Sequence, residues 1–211
     1  MDPAFWHDRW ETNQTAFHEG TPNALLTGNV GRLGLADGGR LFVPLCGKTV
    51  DIAWLLSQGY RVAGAELSRI AVDQLFEDLG VTPEVAAAGP LSHYRADNLD
   101  IFQGNIFDLG QDRLGPVDAV YDRAALVALP APLRRDYARH LVEMTGGAPQ
   151  LLIAFDYDQD RMDGPPFSVG EDEIRRLYGT RYAIEPIVRQ QIPGGLKGKV
   201  PAEETLWHLS R

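Results

Sequence analysis

Residues 40–49 read Arg40-Leu41-Phe42-Val43-Pro44-Leu45-Cys46-Gly47-Lys48-Thr49. The first half is a short apolar run closed by proline, the pattern of a strand buried on both faces. The second half is a tight turn with one glycine. Beyond it, Val50 to Gln58 puts Ile52, Leu55 and Leu56 on one helical face. A strand, a glycine turn and a helix form the opening unit of a parallel α/β sheet.

The pattern repeats downstream. Tyr60 to Glu66 reads as a second strand, and Ser68 caps a helix through Ala71, Leu75 and Leu79. Strands are expected over Leu99 to Gln103, Asp118 to Tyr121 and Gln150 to Tyr157, with a helix over Pro132 to Met144. Ser168 and Glu171 have the spacing of a capping box for a helix through Tyr178. Two late strands, Ile184 to Ile192 and Glu204 to Leu209, lack a long helix between them and suit a hairpin with an antiparallel strand at one edge. Upstream, Phe5 to Glu11 and Asn23 to Leu33 read as short helices ahead of the sheet. The fold class is therefore α/β, an open doubly wound, mostly parallel sheet with helices on both faces. No repeat or long polar linker divides the chain, so residues 1–211 are expected to be one domain with a helical lid over residues 1–35.

Composition narrows the function. The chain has 20 basic and 29 acidic side chains, a formal charge of −9 that disfavours nucleic acid and anionic lipid as partners. Met1 to Asn13 lacks the apolar core of a signal peptide, and no apolar run reaches the length of a membrane span. Cys46 is the sole cysteine, so no intrachain disulfide or cysteine-based metal cluster can form. A cytoplasmic chain acting as a monomer is expected. His7, His18, His93, His140 and His208 show no metal-ligand spacing, and no metal is expected.

In such sheets ligands bind beyond the carboxyl ends of the strands, so the residues there carry the chemistry. Gly47-Lys48-Thr49 resembles the end of a phosphate-binding loop, but the earlier glycine of that motif would fall on Phe42. The three-glycine fingerprint for a pyrophosphate is also missing. A single glycine at Gly47 suits a ligand without phosphates, or an ordinary turn. S-adenosylmethionine, which joins a nucleoside, a sulfonium and an amino acid, is a ligand of that kind.

Glu66 follows Gly47 by 19 residues, close to the ~20 that separates turn glycine and ribose-binding acid in nucleotide folds. Its carboxylate can accept from both ribose hydroxyls. Ile106 and Phe107 offer an apolar slot for adenine, with Asn105 or Asp108 at its polar edge; plain core packing is the other reading of the two apolar residues. The fourth strand runs into Asp122 and Arg123, charges that are costly to bury without partners. Arg123 can hold an anionic or carbonyl-bearing substrate, with Asp122 as a candidate for orienting it. Trp6 and Trp10 supply indole faces that attract a cation, or simply dock the N-terminal helix. Cys46 has no evident partner base and reads as a packed thiol.

These segments together resemble the thiopurine S-methyltransferase family, its bacterial branch above all. The resemblance rests on Phe5-Trp6 with Trp10, Thr15-Ala16-Phe17-His18, Val43-Pro44-Leu45-Cys46-Gly47-Lys48, Gly64-Ala65-Glu66-Leu67-Ser68, Tyr121-Asp122-Arg123-Ala124-Ala125-Leu126 and Gly164-Pro165-Pro166-Phe167-Ser168-Val169. It implies a Rossmann-like class I S-adenosylmethionine-dependent fold. It implies cofactor contacts at Trp6, Trp10, Leu45, Glu66, Asn105, Ile106 and Arg123, and a substrate contact at Phe17. It further implies methyl transfer to heterocyclic or aromatic thiols, with selenium or tellurium compounds as acceptors for some bacterial members. Ile192 to Glu203 departs from the family pattern. A halide or thiol methyltransferase of the same fold, and a non-catalytic module binding the cofactor or a metalloid, are the alternatives. Heterocyclic thiols ionise readily, so no strong general base is required.

Overall fold

A computed structural model of the chain describes residues 3–15 and 18–211. Nine strands form one sheet: β1 (Arg40–Pro44), β2 (Arg61–Glu66), β3 (Glu84–Ala88), β4 (Leu91–Ala96), β5 (Leu99–Gln103), β6 (Ala119–Asp122), β7 (Gln150–Tyr157), β8 (Ala183–Gln191) and β9 (Ala202–Ser210). Their order is β3-β4-β5-β2-β1-β6-β7-β9-β8. The helices are α1 (Pro3–Glu11), α2 (Ala24–Asn29), α3 (Val50–Ser57), α4 (Arg69–Leu79), α5 (Gln111–Leu114), α6 (Ala131–Met144) and α7 (Glu171–Tyr178).

The central five strands, β5-β2-β1-β6-β7, are parallel. Alternation along each strand explains why helices cover both faces. In β1, Leu41 and Val43 point into one apolar layer with Leu25, Leu26, Ile52, Leu55, Val72 and Leu75 of α2, α3 and α4. Phe42 points into the other, with Tyr137 and Leu141 of α6 and Ile174 and Tyr178 of α7. Strand order reverses between β1 and β6, since β2 lies on one side of β1 and β6 on the other. That is the switch point.

The antiparallel pairing expected at one edge is present at both. Strand β9 inserts between β7 and β8 and runs against each, so the reversed strand lies one in from the edge. At the opposite edge, β3 and β4 extend the sheet by a hairpin unforeseen in the sequence, with β4 antiparallel to β5. Glu84-Val85-Ala86-Ala87-Ala88 has no alternating pattern because β3 is largely exposed, and alanine is a weak strand former.

Two expectations on local structure are corrected. Ser168 does not cap α7; the N-cap is Gly170, with no side-chain bond. Ser168 Oγ instead accepts from the Tyr157 N–H at 3.0 Å, and the Ser168 N–H donates to Gln159 Oε1 at 2.8 Å. The region after Asn23 is also not one helix. Asn23 caps α2, and Val30–Leu33 tightens to a 3-10 turn ending at Gly34, whose φ is 61°. Ser68 does cap α4, accepting from the Ala71 N–H at 3.3 Å. No helix among the described residues is long and apolar enough to cross a membrane.

Candidate active site

The turn after β1 owes its shape to backbone conformations that only part of its sequence announces. Leu45 has φ 46° and Gly47 φ 52°. Glycine adopts this left-handed region freely, whereas leucine does so at a cost. Gly47 has a second reason to lack a side chain: a Cβ there would meet Trp10 at 3.2 Å. Trp10, buried on α1, therefore roofs the turn. Cys46 is buried beside Gly64, and burial pushes its thiol well above the ordinary range, which makes it a packed, unreactive sulfur.

Glu66 ends β2 beside this turn. Its Oε2 accepts from the Gly47 N–H at 2.7 Å and its Oε1 from the Ser68 N–H at 2.8 Å. A carboxylate has about four acceptor sites, so these bonds leave roughly two for a ligand. Burial raises the Glu66 carboxyl from its usual value, and the amides of Ser68, Gly47 and Leu67 pull it back. The same group that can hold a ribose diol thus also fastens the glycine turn to the next strand.

Across the switch point, β6 ends in Asp122, followed by Arg123 and by Ala124 at φ 59°. A second non-glycine residue in the left-handed region turns the chain sharply where the guanidinium must reach the crevice. Arg123 is largely covered and pairs through Nη2 with Glu19 Oε1 at 2.5 Å. Asp122 faces away from the crevice. Its Oδ2 accepts from the Tyr137 hydroxyl at 2.7 Å and its Oδ1 from the Leu126 N–H at 3.0 Å. Burial raises its pKa from 3.8 to about 6. With both oxygens taken inward, Asp122 shapes the loop that carries Arg123 and does not itself reach a ligand in this arrangement.

Asn105 caps the short turn Ile106–Asp108 by accepting from the Phe107 N–H at 3.2 Å. Ile106 is buried in the α6 layer, and its carbonyl lies 2.9 Å from His140 Nε2. Phe107 is partly exposed and packs against His140, with ring centroids 5.5 Å apart. Trp6 meets Phe5 edge-on at 5.2 Å on α1. Phe17 lies outside the described residues. Burial, with the nearby charges of Lys48 and Arg123, lowers the pKa of His18.

One part of the site had no signal in the sequence. Asp51 of α3 is buried; its Oδ1 accepts from the Asn23 N–H at 2.8 Å and its Oδ2 from the Tyr121 hydroxyl at 3.0 Å. Asn23 Nδ2 in turn donates to Glu19 Oε2 at 3.3 Å. These bonds root the N-terminal segment on the sheet at the ends of β1 and β6. A cleft of about 380 Å³ lies at the opposite ends of the strands, but Arg40 and Arg95 there are paired with Asp100 and Arg61 with a carbonyl. The carboxyl ends of the strands are the place that combines spare acceptors, a guanidinium and a roof.

Residues 1–203 match the family model described as thiopurine S-methyltransferase. The chain belongs to the thiopurine S-methyltransferase family. Among its relatives, the protein named thiopurine S-methyltransferase from Xanthobacter autotrophicus is 58% identical over 212 residues, covering 100% of each chain. The one from Gluconobacter oxydans is 50% identical over 206 residues, 98% of this chain and 94% of the relative. A solved structure of Burkholderia thailandensis 1,6-didemethyltoxoflavin-N1-methyltransferase, with bound S-adenosylhomocysteine, has a TM-score of 0.67 at 14% identity, covering 99% of this chain and 87% of that one. A magnesium protoporphyrin IX methyltransferase from Synechocystis, also with S-adenosylhomocysteine, has a TM-score of 0.61 at 14% identity over 100% of both chains. At such identities these two establish the fold, which is the Rossmann-like class I methyltransferase fold.

As a member of the thiopurine S-methyltransferase family, the chain is an S-adenosylmethionine-dependent methyltransferase. The residues fit that cofactor. Glu66 keeps acceptor capacity beside a turn where a Cβ would press on Trp10, and Arg123 stands at the adjoining strand end.

Proposed function

We propose that this family member transfers a methyl group to the sulfur of small heterocyclic or aromatic thiols, with selenium and tellurium compounds as further acceptors. The observation that carries the reading is the pairing, across the switch point, of a buried ribose-type acid with a covered arginine under an aromatic roof. When bound, S-adenosylmethionine supplies a sulfonium methyl open to in-line attack by a soft nucleophile. Glu66 would hold the ribose, and Arg123 the amino-acid carboxylate. Trp10, with Trp6 on the same helix, would exclude water and face the sulfonium. Ile106 would line the adenine slot, Asn105 its edge, and Leu45 the amino-acid end. Phe17 would meet the acceptor. Residues 1–35 act as a lid on a single domain.

Among the described residues at this site, neither the buried acid nor the thiol is set up as a strong base. Asp122 is buried and bonded inward, and the Cys46 thiol is raised by burial. This chemistry needs none, because the acceptor arrives as an anion and the protein's part is positioning and desolvation.

The test is transfer of a labelled methyl from S-adenosylmethionine to a panel of an aryl thiol, selenite and iodide. Transfer to the thiol is expected. Transfer to iodide alone would move the protein to halide methylation, and no transfer with retained cofactor binding would make it a binding module.

A further inference from the structure

We infer that Glu19 is a cofactor-binding residue, taking the α-ammonium of the methionine moiety when Arg123 takes its carboxylate. The inference rests on the reading of Arg123 as the carboxylate partner.

Glu66, Asp51, Asp122 and Glu19 lie around the ends of β1, β2 and β6, and the first three are each anchored through both oxygens by neutral donors. Glu66 is held by the amides of Gly47 and Ser68. Asp51 has one oxygen on the Asn23 amide and the other on the Tyr121 hydroxyl. Asp122 has one on the Leu126 amide and the other on the Tyr137 hydroxyl. Glu19 differs. One oxygen contacts Asn23 Nδ2 at 3.3 Å, and the other pairs at 2.5 Å with Arg123 Nη2. Its main partner is thus another charged side chain, which a charged ligand can replace.

The exposures of the pair fit an exchange. The Arg123 side chain is 14% exposed and that of Glu19 is 47% exposed. Glu19 is half exposed, so water can solvate its carboxylate when the pair opens. Leaving Arg123 covered without an anion would cost far more. A free amino-acid group resolves this, because its carboxylate and ammonium sit on one carbon. Once the carboxylate takes Arg123, the ammonium on the same carbon comes within reach of the displaced Glu19. Both protein charges stay paired, and both ligand charges gain partners.

Placement supports the same reading. Asn23 is tied through Asp51 to Tyr121 of β6, so Glu19 is held four residues from a fixed root. Arg123 immediately follows that strand. The two charges are therefore presented by separate segments that the same buried aspartate holds together.

Calorimetry with three probes tests this: S-adenosylhomocysteine, its desamino analogue with hydrogen in place of the amine, and 5′-methylthioadenosine, which lacks the amino-acid group. Glu19→Gln should weaken S-adenosylhomocysteine by about tenfold or more, the size of a lost charge-assisted hydrogen bond. The desamino analogue and 5′-methylthioadenosine should be unchanged within about twofold, which also shows that the variant is folded. Equal losses on all three probes would make Glu19 a structural residue of the lid. Tighter binding of S-adenosylhomocysteine would make it a competitor of the ligand, and no change a bystander; each overturns the inference. Arg123→Ala separates the two readings. If it leaves S-adenosylhomocysteine affinity intact, the role given to Arg123 fails and this inference with it. If it weakens binding while Glu19→Gln does not, the role of Arg123 stands and that of Glu19 falls.

Discussion

Glu66 uses half of its hydrogen-bonding capacity inside the protein and keeps the rest for a ligand. The division predicts two separable effects. Glu66→Gln keeps one acceptor and most of the shape but sets its NH2 against one backbone amide; it should weaken S-adenosylhomocysteine by about 1.5–3 kcal/mol, the range for bonds to a charged group, and lower stability by about 1–3 kcal/mol. Glu66→Ala should lower stability further, because both buried amides lose their acceptor at about 1–3 kcal/mol each. Titration calorimetry and denaturant melts of both variants check this. Asp122 offers a second test. Its pKa is raised by burial from 3.8 to about 6, so the folded state holds the proton longer than the unfolded chain. Its contribution to stability is full below about pH 4 and is lost as pH rises through about 6. Asp122→Asn removes that dependence. The stability difference between variant and wild type should move toward the variant between pH 4 and 7, by a few kcal/mol at most, as urea melts across that range would show. A constant difference would mean that Asp122 titrates normally.

At the scale of elements, α1 is attached to the site through Trp10 over Gly47 and adds no strand to the sheet. Removing residues 1–14 should therefore lower turnover by about tenfold or more while shifting Tm by less than about 5 °C. Assays and melts of the truncated chain would show it, and full turnover would reduce Trp6 and Trp10 to packing residues. The loop behind β6 works differently. Tyr137 of α6 and the Leu126 amide grip Asp122, so α6 sets the path by which Arg123 reaches the crevice. A helix that looks purely structural thereby sets the path of Arg123.

On the scale of the whole molecule, the chain returns late to the ligand end. Strand β8 runs in the direction of the central strands and β9 runs back, so residues 192–201 connect them beyond the carboxyl ends. There Leu196, Val200 and Ala202 pack with Tyr157 in a small apolar cluster of their own, and Lys197 Nζ donates to the Pro165 carbonyl at 2.6 Å. This segment lies at the carboxyl-end face of the sheet, and we propose that it borders the approach of the acceptor. Replacing residues 193–199 by a glycine-serine linker should lower kcat/KM for an aryl thiol by about tenfold or more and leave S-adenosylhomocysteine affinity within about twofold. Equal loss of both would show that the loop supports the fold and does not shape the acceptor site.

The parallel core, the order of its strands and helices, the glycine turn and the acid 19 residues beyond it were legible in the sequence, because each is a local pattern. An apolar run such as Leu41-Phe42-Val43 must be buried on both faces wherever it sits, and Ser68 caps whatever helix follows it. The tertiary structure decided what depends on residues distant in the chain. The sequence shows an Asp-Arg pair, but only the fold turns Asp122 inward to Tyr137 and Arg123 outward to Glu19. It shows glycine at position 47, but not that a Cβ there would press on Trp10, nor that Leu45 and Ala124 share the left-handed backbone. Asp51 reads as an ordinary helix residue until the amide of Asn23 and the hydroxyl of Tyr121 arrive from segments 28 and 70 residues away. Local patterns fix which elements form, since propensity and periodicity act over a few residues. Partners for buried charge are chosen by desolvation, which takes effect only once the chain has closed around them.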